Sequence, residues 1–89
     1  MNKLDNLMNN KNMTVLLNEL KDNGEDITIP DDVTSQAQLK KVFKHKLIDA
    51  EFIYNQLFPC RSDEDLEKFL IYSDIVCTYK SILKVLNEV

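Results

Sequence analysis

The apolar residues of this chain recur mostly with the period of an α-helix. The first clear run, over residues 13–23, has the i, i+3, i+4, i+7 spacing of a single helix face, with Met13, Leu16, Leu17 and Leu20. Asn23 and Gly24 then supply the left-handed exit with which helices often end. This pattern predicts a first helix over 13–23, and residues 1–12 before it are predicted to form a short helix or a loose arm.

The next segment reads as extended. Ile27 and Ile29 alternate with Thr28, and Pro30 prevents a helix from passing through this position. Because no second segment offers a partner strand, we expect residues 24–34 to form a connector that its two isoleucines hold against the helices.

A second helix is predicted over residues 35–58. Ser35 and Gln38 have the spacing of a capping box at its start. At 100° per residue, its apolar side chains fall within an arc of roughly 160°; they are Leu39, Val42, Phe43, Leu47, Ala50, Ile53, Tyr54, Leu57 and Phe58. Ile48 and Phe52 fall on the opposite side of this helix.

The stretch "LFPCRSDEDL" predicts a break between two helices. Pro59 cannot continue the second helix, and Ser62 is a favourable N-cap for the next one. The acids of residues 63–65 then meet the positive end of the helix dipole. A third helix is predicted over residues 63–87, with a heptad-like seam made by Phe69, Tyr72, Val76, Tyr79, Leu83 and Leu86.

These elements predict one all-α domain over residues 1–89. It has a short N-terminal helix (or two), an extended connector, and a long antiparallel helical hairpin made by residues 35–58 and 63–87. The apolar arcs are wider than two packed helices need. We therefore expect a homo-oligomer, with the seam of the third helix as the self-association surface.

Charge and composition narrow the classes of function. The net charge of −4 disfavours nucleic-acid binding, whose affinity comes largely from phosphate neutralisation. No apolar run is long enough to span a membrane, and no secretory leader is recognisable, so a cytoplasmic protein is expected.

Cys60 and Cys77 lack the spacing of a zinc site and are expected to be free thiols. Lysine and asparagine have AT-rich codons, and their abundance is typical of many phages and of many low-GC bacteria.

The stretch "KKVFKHK" holds four lysines and no acid between residues 40 and 46. Such a cluster could bind phosphates or an acidic protein surface, or it could be a solvated helix face. Ile48 and Phe52 lie one turn apart beside it, and apolar side chains next to basic ones often mark a partner site. The candidate binding residues are therefore Lys40, Lys41, Lys44, His45, Ile48 and Phe52.

No catalytic motif is present. The single glycine excludes a glycine-rich phosphate loop, and neither paired metal ligands nor a nucleophile elbow appear. His45 has no partner at triad-like spacing. We expect no enzyme, no cofactor and no metal site.

Three functions remain. The first is a small helical interaction protein that modulates or inhibits a larger protein, as phage-encoded or mobile-element anti-host and regulatory factors do. The second is an oligomer that sequesters a small phosphate-bearing ligand, such as a cyclic nucleotide. The third, a DNA mimic, is disfavoured because the acids concentrate in a connector and a helix cap rather than along a surface.

Overall fold

A computed structural model describes residues 10–25 and 27–88. Of residue 88 it describes the backbone only. Within these residues there are three helices and no strand: α1 over Lys11–Asp22, α2 over Gln36–Gln56 and α3 over Asp63–Glu88. The all-α class predicted from the hydrophobic period is thus confirmed. The predicted helix or arm over residues 1–12 falls largely outside the described residues.

Helix α1 begins two residues before the predicted start. The Asn10 side chain accepts a hydrogen bond of 2.9 Å from the backbone N–H of Asn12, which satisfies one of the free donors of the first turn. The helix ends as predicted: Gly24 takes a left-handed φ of 85°, which costs glycine nothing. The polar residues before Met13 therefore belong to the helix, because a cap does not require an apolar neighbour.

The two long helices begin at the predicted caps. Ser35 and Gln38 form the capping box of α2, and the Ser62 hydroxyl accepts from the Asp65 N–H at 3.1 Å. Helix α2 ends at residue 56, two residues before the predicted end. The difference lies at Phe58, which precedes a proline, and that position is disfavoured in helical conformation.

Helix α3 is the centre of the packing, since it contacts both α1 and α2. The Phe43 and Tyr79 rings lie 6.3 Å apart between their centroids, and the Tyr54 and Phe69 rings stack at 4.7 Å. Later residues of α2 thus contact earlier residues of α3. The buried hydrophobic residues form one cluster of Met13, Leu20, Leu39, Phe43, Ala50, Ile75, Val76, Tyr79, Ile82 and Leu86.

The connector lies against this core, as its isoleucines predict. Ile27, Ile29 and Val33 are partly buried and pack on the cluster. Beyond the connector, the Gln36 side chain donates a hydrogen bond to the backbone carbonyl of Leu86. The start of α2 is thereby joined to the last turns of α3.

The core is distributed unevenly along the long helices. None of the buried residues named above lies between positions 51 and 74, the part of α2 and α3 on either side of the turn. We call this part the tip. The described part of the chain is elongated, about 48 Å by 22 Å by 21 Å. In the described part of the chain, no helix is both long and apolar enough to cross a membrane.

Candidate interaction surface

The outer side of α2 carries most of the side chains that the sequence singles out. Ile48 and Phe52 are each 63% exposed, and Lys41, Lys44 and His45 are exposed beside them. At 100° per residue, Phe52 points about 180° away from Phe43, the ring of α2 that packs on Tyr79. We call these five exposed residues the partner face.

Two other lysines of the "KKVFKHK" stretch do not belong to the partner face. Lys40 is only half-exposed and lies at the flank of the buried arc. Lys46 lines a cleft on another side of α2. The basic stretch is therefore divided among different sides of the helix, because seven consecutive residues cover almost two full turns.

The predicted self-association seam lies inside the single chain. Val76, Tyr79 and Leu86 are buried, while Phe69, Tyr72 and Leu83 are half-buried. Phe69 stacks on Tyr54 of α2, and the Tyr79 ring makes a tilted contact with Phe43 of α2. A second copy could reach the buried members of this seam only if α2 moved away from α3.

The tip exposes a different set of apolar side chains. Phe58 is 69% exposed, Leu66 48% and Leu70 60%. Leu66 and Leu70 are one helical turn apart on α3, and the Phe58 ring lies 6.1 Å from that of Phe69. The sequence pattern did not indicate this set, because Leu66 and Leu70 lie outside the longer and more regular apolar seam of the same helix.

A cleft of about 270 Å³ opens between α2, α3 and the start of the connector. Its walls combine two carboxylates, one ammonium group, two tyrosines and two aliphatic side chains, from Glu25, Lys46, Asp49, Ala50, Ile53, Tyr72 and Tyr79. Because the acids outnumber the single lysine, this cleft suits a cation or a neutral polar group better than a phosphate.

The polar bond at the floor of this cleft joins distant parts of the chain. The Tyr79 hydroxyl donates to Glu25 Oε1 at 3.0 Å. Burial raises the pKa of Tyr79 well above its ordinary value, and the Glu25 carboxylate raises it further because it would repel a phenolate. Tyr79 is therefore held as a hydrogen-bond donor.

A second polar contact joins the end of α1 to α3. The Asn23 amide donates to Asp74 Oδ2 at 2.6 Å. The Glu19 carboxyl also meets Asp74, and the pKa of Glu19 is raised, first by its hydrogen bond to Asp74 and then by the negative charge of that group. No sequence motif indicates this cluster, because its members are about fifty residues apart.

The predicted chemistry of the cysteines agrees with the structure: Cys60 and Cys77 are both free. In the part of the chain that the structure describes, no three His, Cys, Asp or Glu side chains are grouped as metal ligands. No protein-family model, curated protein or solved structure matches the chain.

Proposed function

We propose that this chain is a small non-enzymatic interaction protein, which binds a larger protein through the partner face and modulates or inhibits it. One observation carries the proposal: Ile48 and Phe52 remain 63% exposed on the side of α2 that is turned away from its packing partner. Two neighbouring apolar side chains on such a helix face are typical of a binding surface.

The energetics favour the apolar pair as the anchor. Moving a side chain such as Phe52 fully out of water contributes about 1.5–3 kcal/mol. Lys41, Lys44 and His45 lie beside the pair, on the side nearer the start of α2, and such charges at the rim of an interface mainly raise the rate of association. An apolar groove with acidic groups at its edge is therefore the surface that fits the partner face.

An antiparallel hairpin of α2 and α3 is part of this proposal, because packing on α3 holds α2, and with it the partner face, in place. The order of the ring contacts supports it: Phe43 pairs with Tyr79, and Tyr54 pairs with Phe69. A rigid helix loses little conformational freedom when it binds, which favours affinity.

The second candidate, a binder that sequesters a small anion, gains little from the cleft. Glu25 and Asp49 would repel a phosphate there, and Lys46 is a single opposing charge. The cleft therefore gives no support to the phosphate-binding alternative.

Self-association remains part of the proposal, with the tip in place of the seam as its surface. The tip lacks fully buried side chains of its own, yet it exposes Phe58, Leu66 and Leu70. A second copy that covered these residues would complete the packing of this part of the molecule.

Affinity capture would test the main proposal. The tagged native chain, a Phe52→Ala variant and a Val15→Ala variant are incubated with extract of the cells that produce the protein, and captured proteins are quantified by mass spectrometry. Val15 is a matched control, since it is 60% exposed but lies on α1. We expect a partner that Phe52→Ala loses and Val15→Ala retains.

The captured partner is then titrated calorimetrically with each variant. Phe52→Ala is expected to weaken binding by about 2 kcal/mol, the scale of an interface anchor. Equal affinities of the native chain and Phe52→Ala would contradict the proposal, as would a partner that is lost equally with both variants.

A further inference from the structure

Packing of α3 on α2 brings together lysines that are forty residues apart in the sequence. The Phe43–Tyr79 ring contact defines which parts of the two helices lie at the same level. Lys40 and Lys44 lie within one turn of Phe43, and Lys80 and Lys84 lie within about one and a half turns of Tyr79. Lys44, Lys80 and Lys84 are exposed, and Lys40 is half-exposed.

The four lysines occupy the same side of the helix pair. On α2, Lys40 and Lys44 point about 120° and 160° away from Lys46, which lines the cleft. On α3, Lys80 and Lys84 point about 100° and 140° away from Tyr79, which lines the cleft. They therefore lie on the side opposite the cleft, and we call Lys40, Lys44, Lys80 and Lys84 the lysine face.

Neither helix has an acid within one turn of Phe43 or of Tyr79. Residues 36–48 and 75–87 contain six lysines and neither aspartate nor glutamate. The nearest acids on α2 are Asp49, which lines the cleft, and Glu51, which lies toward the tip. In a protein whose net charge is −4, this concentrates positive charge on one surface.

Helix geometry places these charges close together. Side chains four residues apart on a helix have Cβ atoms about 5–6 Å apart, and packed helix axes lie about 8–10 Å apart. These separations are comparable with the Debye length of about 8 Å at physiological salt. The fields of the four ammonium groups therefore add.

We propose that the lysine face receives an acidic surface of the protein partner, next to the apolar anchor of the partner face. This inference rests on the proposed function and names the chemistry of the partner. Lys44 belongs to both surfaces, so a partner seated on Ile48 and Phe52 extends naturally toward Lys80 and Lys84.

The composition of the surface favours carboxylates over a nucleic acid. Its charges are all lysines, and the forked guanidinium that pairs with a phosphate in two places is absent from it. Ile48 and Phe52 adjoin it, and a protein interface uses such side chains as anchors. The overall charge of −4 also repels a long polyanion, whereas it affects a local acidic patch less.

A designed probe tests the inference with the full chain. The probe is a fluorescent amphipathic helical peptide with glutamates beside a row of leucines, and binding is followed by anisotropy at about 50 mM and 150 mM NaCl, where the Debye length changes appreciably. The variant is Lys80→Gln with Lys84→Gln. Its control, Lys11→Gln with Lys21→Gln, removes the same charge from exposed positions of α1.

We expect the α3 variant to bind the peptide about fivefold more weakly at the lower salt concentration, with a smaller loss at the higher one, on the scale of two exposed charge contacts. The α1 control should change affinity by less than twofold. Lys80→Arg with Lys84→Arg keeps both charges and should bind like the native chain, which separates a charge effect from a folding defect.

The outcomes separate this inference from the proposed function. If Phe52→Ala weakens peptide binding while the α3 variant matches the α1 control, the proposed role of the lysine face is refuted and that of the partner face is retained. If the α3 variant weakens binding and Phe52→Ala does not, the role of the lysine face is retained and the role of Phe52 as an apolar anchor is refuted. No binding of the peptide to the native chain at low salt, or tighter binding of a 20-nucleotide single-stranded DNA, overturns the inference.

Discussion

The hydroxyl of Tyr79 donates a hydrogen bond to the carboxylate of Glu25, and this bond ties α3 to the start of the connector, just beyond the end of α1. The two residues are 54 positions apart. Tyr79 is 1% exposed and also packs on Phe43, so one side chain links α2, α3 and the connector. The end of α1 is thereby held at a fixed level of α3.

Replacing Tyr79 with Phe should lower the free energy of unfolding by about 1–2 kcal/mol, since it removes one partner of a hydrogen bond and leaves the ring packing intact. Urea denaturation measures the change. Because the folded protein raises the pKa of Tyr79, the native chain should also lose stability at alkaline pH, as the pH rises above the ordinary tyrosine value. This alkaline loss should be smaller in Tyr79→Phe; an unchanged profile would contradict the role of the phenol.

The contact between Glu19 and Asp74 should make stability depend on pH in the acidic range. The pKa of Glu19 is raised in the folded protein, so the contribution of this contact is fully present below the ordinary glutamate pKa and is lost as the pH rises through the higher folded value. Asp74→Asn removes the repulsion and keeps an acceptor for Asn23. Thermal melts between pH 4 and 7 should show a smaller decline with rising pH in Asp74→Asn than in the native chain. Parallel profiles would contradict the assignment.

Ser62→Ala should lower the free energy of unfolding by about 1 kcal/mol, because the hydroxyl caps the N-terminus of α3 through the Asp65 N–H. Ser81→Ala is the control: it lies on an exposed part of the same helix, and alanine has the higher helix propensity. It should leave stability unchanged or slightly raise it. Equal losses for both variants would show that Ser62 does not act as a cap.

Local signals in this sequence predicted the local structure well. The capping box at Ser35, the cap at Ser62 and the exit at Gly24 each depend on residues within four positions, and all three are confirmed. The predicted start of α1 and the predicted end of α2 were each wrong by two residues. A side-chain cap at Asn10 and the restriction on the residue before Pro59 outweighed the apolar period that had set those limits.

Contacts between distant residues could not be predicted in the same way. The hydrophobic period shows which side of α3 is apolar, but it does not say whether another helix or another copy covers that side. The bond of Asn23 to Asp74, and the contact of the Phe43 ring with the Tyr79 ring, depend on the register of the helices. Register follows from how whole surfaces pack, so no single residue indicates it.

On the partner face, the apolar pair should contribute more to affinity than the lysines. Against the captured partner, Phe52→Ala is expected to cost about 2 kcal/mol, and Lys41→Ala and Lys44→Ala less each. The lysine effects should shrink as salt is raised, because exposed charges are screened, whereas the Phe52 effect should persist. Calorimetric titration at two salt concentrations measures both. A lysine variant that loses more affinity than Phe52→Ala at physiological salt would favour an anionic ligand as the target.

The tip should be the surface through which two copies associate. At tens of micromolar, a range in which many homodimers form, sedimentation of the native chain should give a mass above the 10.4 kDa of one copy. Leu70→Glu should return it to one copy, because a buried, unpaired carboxylate at an interface is strongly unfavourable. Val15→Glu places the same charge on an equally exposed position of α1 and should leave the association intact.

Association through the seam of α3 makes the opposite prediction. Val76 and Tyr79 are covered by the chain's own helices, so two copies could share the seam only by exchanging them. Leu70→Glu would then leave the dimer in place, and the association would become slow, since each copy must first open. A native chain that sediments as one copy at these concentrations would exclude association through either surface.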